Sequence, residues 1–327
     1  MRAHSFFRLF PPPVFLTMPY AGLDISDEAA RCVTYAGFGR DRHISSYGTD
    51  DLPEGIMDGG DIKDEKAFVS KLADFGRKHG LYRVKVSIPE EKSYLFQTDV
   101  PSMDKKDIER NIEFKLEENV PLSAQDAVFY FDLLPDQTAG DTQARLPKVS
   151  VSVVPRTYIE HYINLLKAAG LYPVAFEVVP KAIARSVVPK GIPGTKMIVH
   201  FLSKKTGIYV VSGDVVCFAS TVSSVVGRGV PGSISTDELT KEISRIYAYW
   251  LSHGTGHSID SIILVGKDAA DYDDIGSHIP DAASIPTRVA DVWVNTLDLD
   301  GYIPPIARKD SLEYAVAAGL ALDLAFA

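Results

Sequence analysis

Cys32 and Cys217 are the two thiols in a chain of 327 residues. They fall in separate strand-like apolar runs, so no zinc-type spacing arises. Each is expected to be a buried reduced thiol. The eight histidines are scattered. His200 falls inside the apolar run 196–201, where a hydrogen-bonded core histidine is expected. The acid pairs Glu117-Glu118 and Asp273-Asp274 fall in polar stretches and read as solvated faces. No serine carries a nucleophile motif. The chemistry-bearing residue types therefore assemble no acid–base, nucleophilic or metal constellation, and the expectation is a protein without catalytic residues and without a metal.

The elements that must position these residues follow from composition and periodicity. Apolar residues make up 46% of the chain and charged residues 24%, an ordinary globular balance for about two domains. The formal net charge of −9 gives no electrostatic reason to bind nucleic acid or an anionic membrane. Strands are expected over 20–25, 30–35 and 43–47, then a helix over 64–79 with Phe68, Leu72 and Phe75 on one face, capped by Asp64 and ended by Gly80. A strand over 83–88 closes the set. The order then repeats: strands over 196–201, 207–211 and 215–219, a helix over 237–252, and a buried strand over 261–265. Two similar lobes, each a mixed sheet with helices packed on it, are implied.

Residues 93–154 interrupt the first set. They read as a strand, a helix from Asp104 with Ile108, Ile112 and Leu116 one turn apart, and two strands over 128–133 and 149–154 joined by a polar loop, 136–145. A helix over 156–169 and a strand over 171–179 return to the first lobe. The final segment, 312–326, reads as a buried helix, small and apolar on most sides. The N-terminus, with Phe6, Phe7, Phe10 and Pro11-Pro12-Pro13, is too short and interrupted to span a membrane. It is expected to be an extended arm over 1–19 that covers an apolar patch of its own domain, with docking to a partner as the alternative.

This layout resembles the actin-like superfamily, and more narrowly its FtsA and PilM branch. Residues that carry the resemblance are Gly22-Leu23-Asp24-Ile25, Val100-Pro101-Ser102-Met103 with the helix after it, Val153-Val154-Pro155-Arg156, Glu177 through Arg185, and the segment 310–321. It covers nearly the whole chain from Gly22 onward. The resemblance implies an α/β, duplicated two-lobe, ribonuclease H-like fold with a small inserted α+β subdomain. The first lobe would be 20–92 and 155–195, the insert 93–154, and the second lobe 196–327 with a smaller subdomain at about 222–258. PilM-like proteins are cytoplasmic scaffolds of the type IV pilus platform, peripheral at the inner membrane. They hold the cytoplasmic tail of a bitopic PilN protein and link the machine to its motor ATPases. The corresponding groove here would use Val128, Phe129, Tyr130 and Phe131. An actin-like ATPase or kinase-type enzyme and a type II secretion platform component are the alternatives.

The resemblance also points to residues around a nucleotide. Actin-like ATPases cradle phosphate in a turn reading Asp-x-Gly-x-x-x-x-Lys, where glycine lets backbone N–H groups approach the oxygens. The equivalent residues are Asp24, Ser26, Asp27 and Arg31. Serine replaces the glycine, and Asp27 and Glu28 add negative charge. A carboxylate ~4 Å from a phosphate opposes binding by roughly 4 kcal/mol at an effective dielectric of about 20. That is about three decades of affinity. The second phosphate turn would involve His200, Ser203, Lys204 and Thr206, without the acidic residue that organises magnesium. The adenosine loop keeps Gly266 but follows it with Lys267. ATP with Mg is therefore expected to bind weakly if at all, and not to be hydrolysed.

Overall fold

The computed structural model describes residues 19–37, 39–135, 146–222, 225–226, 233–234, 236–253, 258–269 and 285–322. In chain order these form β1 (Ala21–Ile25), β2 (Ala29–Ala36), β3 (His43–Asp51), β4 (Met57–Asp58), β5 (Asp61–Ile62), α1 (Glu65–His79), β6 (Arg83–Ile88), β7 (Tyr94–Asp99) and α2 (Lys105–Asn119). Then come β8 (Ala127–Leu133), β9 (Lys148–Pro155), α3 (Arg156–Ala168), β10 (Tyr172–Val178), α4 (Val179–Val187), β11 (Thr195–Phe201), β12 (Thr206–Ser212) and β13 (Val215–Val222). The chain continues through β14 (Val225–Val226), β15 (Ser233–Ile234), α5 (Thr236–His253), β16 (Ile259–Gly266), β17 (Thr287–Val289), α6 (Arg308–Ser311) and α7 (Ala315–Ala321). The arm 1–18, the loop 136–145 and Asp273-Asp274 lie outside the described residues.

Two five-stranded mixed sheets dominate, ordered β10-β6-β1-β2-β3 and β13-β12-β11-β16-β17. In each, three antiparallel strands continue into parallel neighbours, so the duplicated strand order expected from the repeat is present. Strands β11 and β12 are buried at every position, which explains their unbroken Val/Ile runs. Helix α1 starts where the Asp64 carboxylate accepts from the Ala67 N–H at 3.0 Å. It ends where Gly80 turns left-handed at φ 65°.

The chain divides into two compact units. The first comprises residues up to Pro89, Glu160–Val187 and from Asp291 onward; the second comprises Glu90–Ile159 and Val188–Ala290. This differs from the division read in the sequence at three stretches: 90–159, 188–195 and 291–322. Residues 291–322 return to the first unit, because α7, with four alanines and Gly319 among its seven residues, packs at backbone distance. A Cβ on Gly319 would lie 1.8 Å from the Ala182 carbonyl oxygen, and one on Gly22 would lie 2.0 Å from that of Ala317. Ordinary side chains at either place would force the helix off β1 and α4.

The inserted segment groups with the second unit instead. Its three-stranded sheet, ordered β7-β9-β8, packs α2 on one face around Ile108, Ile112, Leu116, Val149, Val151 and Val153. The other face meets the edge strand β13. The Ser150 hydroxyl donates to the Val216 carbonyl at 2.6 Å, and the Gln97 amide donates to that of Cys217 at 2.8 Å. Two polar side chains thus satisfy backbone acceptors on a strand edge that would otherwise be open.

Candidate functional site

The β1–β2 turn places Asp24, Ser26, Asp27 and Arg31 in the first unit. The turn is closed by its own groups. The Ser26 N–H donates to the Ala29 carbonyl at 3.0 Å, and the N–H groups of Glu28 and Ala29 point to the Ser26 hydroxyl oxygen at 3.4 and 3.3 Å. A phosphate cradle needs convergent, uncommitted N–H groups, and three of the turn's donors are committed here. The serine hydroxyl supplies the acceptor for two of these three donors, which glycine would not. Asp27 does not face outward as a bare charge. Its carboxylate accepts from the Gly59 and Gly60 N–H groups at 2.9 and 3.0 Å, tying the turn to the β4–β5 hairpin. Asp24 is buried. Arg31 is ion-paired with Glu313, 282 positions away, and its side chain is only 13% exposed.

In the second unit, His200, Ser203, Lys204, Thr206, Gly266 and Lys267 converge at one end of the sheet. The Leu202 N–H donates to the Lys205 carbonyl at 3.0 Å to close the β11–β12 turn, and the Lys267 N–H donates to that of Phe201 at 3.0 Å. Gly266 takes φ 97°, and a Cβ there would lie 2.2 Å from the Phe201 carbonyl oxygen. Glycine is required by this close approach of backbone. His200 is buried and faces the Tyr209 ring at 6.4 Å between centroids. The Lys267 ammonium is 3.4 Å from the Ser203 hydroxyl, and Lys204 is exposed.

Lys205, the neighbour of these residues, is committed inward. Its ammonium contacts Glu91 and lies 3.7 Å from Glu90 Oε1. Glu90 also lies within reach of the Tyr209 hydroxyl, 3.3 Å, and the Thr221 hydroxyl, 3.4 Å. Burial pushes the Glu90 carboxyl up and the Glu91 charge adds to this, while Lys205 pulls it down; the net shift is upward. Sequence reasoning missed this cluster. Its one visible trace is the Pro89-Glu90-Glu91-Lys92 run straight after the buried strand β6.

Missed too is a buried network in the first unit. Arg185 on α4 makes a bidentate pair with Glu177 on β10, and Lys85 on β6 meets the same carboxylate at 2.8 Å. Arg185 also donates to the Gly319 carbonyl at 2.9 Å, and the Asn295 amide donates to the Arg185 carbonyl at 2.9 Å. Both cations hold the Glu177 carboxyl below its ordinary value despite burial. Both thiols are buried, and desolvation pushes each up to about 12, so neither is a nucleophile.

Val128, Phe129, Tyr130 and Phe131 lie on β8, an outer strand of the inserted sheet. The two-residue period splits them. Phe129 and Phe131 pack on the α2 side, while Val128 and Tyr130 stay 39% and 56% exposed on the other. Arg156 anchors the base of this strand, donating to the carbonyls of Gln125 and Ala127 at 2.9 and 3.0 Å. Among the described residues, no helix is long and apolar enough to cross a membrane. No group of three or more His, Cys, Asp or Glu side chains among them is placed to hold a metal ion.

No family model and no curated protein matches the chain by sequence. Solved structures do match by shape. The structure titled "PilM-PilN type IV pilus biogenesis complex" superposes with a TM-score of 0.72 over 92% of this chain and 97% of that one, at 17% identity. Two others are more distant. The cytoplasmic domain of EpsL, an inner-membrane component of the Vibrio cholerae type II secretion system, gives a TM-score of 0.47 at 11% identity, covering 90% of this chain and 93% of that one. The ethanolamine utilization protein EutJ from Carboxydothermus hydrogenoformans also gives 0.47 at 11%, covering 97% and 91%. The duplicated sheets, the inserted unit and the nearly full-length superposition agree on one architecture: the chain has an actin-like fold.

Proposed function

We propose that this chain is a PilM-like scaffold of a type IV pilus assembly platform, and that it binds the cytoplasmic tail of a PilN-like bitopic membrane protein. The observation that carries the reading is the shape match that includes the inserted unit, with 97% of the PilM structure covered. The proposed seat is the β8 side of the inserted sheet. Val128 and Tyr130 give it exposed apolar surface on an outer strand, the arrangement that accepts an extended peptide by main-chain pairing and side-chain anchoring. Through that partner the chain would be peripheral at the inner membrane face.

We read the nucleotide turns as degenerate. The first spends its backbone donors internally, and the second has its nearest lysine bound to carboxylates. These residues do not fit a tightly held Mg-nucleotide, and no hydrolytic step is assigned to them.

A pull-down with a synthetic tail from the candidate partner tests the seat. Val128→Asp and Tyr130→Asp, made separately, are expected to keep the native circular dichroism spectrum and to lose tail capture. Capture undiminished in both variants sinks the assignment of the seat to β8.

A further inference from the structure

The β11–β12 turn gathers positive charge. Lys204, Lys205 and, through Ser203, Lys267 bring three ammonium groups and a hydroxyl to one tight turn. That is the chemistry of a seat for a phosphate-bearing anion. Lys205, however, meets two carboxylates contributed by the 3₁₀ turn Glu90–Lys92 of the same unit. The Glu90 side chain is 7% exposed and held by Tyr209 and Thr221. Tyr209 reaches it by lying along its own strand across Gly207, where a Cβ would fall 2.1 Å from the phenol oxygen. The placement is thus built from β12 and β13 and does not depend on a freely rotating surface side chain. Two carboxylates facing Lys205 more than neutralise its charge, so this ammonium is already taken and an incoming anion meets two carboxylates beside it.

We infer that Glu90 and Glu91 act as an internal anion that holds Lys205 and keeps the β11–β12 turn closed to phosphate-bearing ligands, so that removing both charges opens a phosphate site made by Lys205, Ser203 and Lys267. The inference rests on the reading of weak phosphate binding by the unaltered chain, and it explains that weakness in the second turn. Gly207 serves the same arrangement, since any side chain there displaces Tyr209 from Glu90.

Calorimetric titration of inorganic pyrophosphate tests it, using the full unaltered chain, Glu90→Gln/Glu91→Gln, and that double variant with Lys205→Ala added. A parallel titration with Mg-ATP separates a nucleotide from free phosphate. The double variant is expected to bind pyrophosphate at least about tenfold more tightly, and Lys205→Ala is expected to abolish the gain. Weak binding by the unaltered chain with no gain in the double variant overturns the inference and leaves the scaffold reading in place. Tight binding by the unaltered chain overturns the inference together with the reading of weak phosphate binding on which it rests. A gain that survives Lys205→Ala also overturns the inference, because the site then lies elsewhere. Should the double variant lose its native melting transition, Glu91→Gln alone keeps the buried Glu90 contacts; a severalfold tightening is expected from it, and none counts against the inference.

Discussion

Glu177 and Glu90 are both buried glutamates beside lysines, and their carboxyls shift in opposite directions. Glu177 sits between Lys85 and Arg185, two cations to one carboxylate, and is held below its ordinary value. Glu90 shares the single cation Lys205 with Glu91, one cation to two carboxylates, and is raised. Burial acts the same way on both, so the hydrogen bonds and charges of the partners decide the sign: Arg185 and Lys85 on Glu177, and Lys205 opposed by Glu91 on Glu90. The first arrangement joins β6, β10, α4 and α7 through one carboxylate that both cations meet, with Arg185 also donating to the Gly319 carbonyl, which is the way a fold secures its own elements. The second leaves charge in excess beside a basic turn, which is a way to occupy a site.

The largest expected effect breaks the first cluster. Glu177→Ala leaves Lys85 and Arg185 buried without their counter-charge, and about 3–5 kcal/mol of stability should be lost by denaturant titration. A loss under about 1 kcal/mol would show that the network is solvated and does not hold the unit together.

A smaller effect, of opposite sign, sharpens the second. The lowered Glu177 contributes stability at pH above its ordinary value near 4.5, lost as pH falls towards its folded value. The raised Glu90 binds its proton more tightly in the folded state. Its contribution is fully present below about 4.5 and is lost as pH rises through its folded value. Glu90→Gln, which mimics the protonated form, should therefore raise the melting temperature at pH 7 and leave it nearly unchanged near pH 4.5. A melting temperature lowered at pH 7 would mean that the ionised carboxylate is net favourable there, contrary to the direction assigned.

Neither cluster was legible in the sequence, and the reason is separation along the chain. Glu91 and Lys205 are 114 positions apart, and Arg185 and the Gly319 carbonyl are 134 apart. Local periodicity carries no information about such pairs. It carries a great deal about elements whose partners are solvent and one core face. Phe68, Leu72 and Phe75 on α1, and Ile108, Ile112 and Leu116 on α2, are buried as their spacing requires. The division of Val128 and Tyr130 from Phe129 and Phe131 was visible in the two-residue period for the same reason. The strand β17 was not, being three residues long. The destination of α7 was not either, because an alanine-rich helix announces close packing without saying against what. At the nucleotide turns, the missing glycine at Ser26 was readable, but its consequence was not. The serine oxygen gathers the turn's donors, and Asp27, counted as a repulsive charge, is tied up by Gly59 and Gly60.

The proposal at the centre of this account is that both candidate phosphate turns are satisfied by groups of the chain itself, as expected of a scaffold that holds a partner and does not turn over nucleotide. Titration of Mg-ATP into the purified chain by calorimetry, with phosphate release followed in the same samples, tests this most directly. The account predicts dissociation constants no tighter than about millimolar, as the excess carboxylates require, and phosphate release no faster than in buffer. Micromolar binding accompanied by measurable release would contradict it.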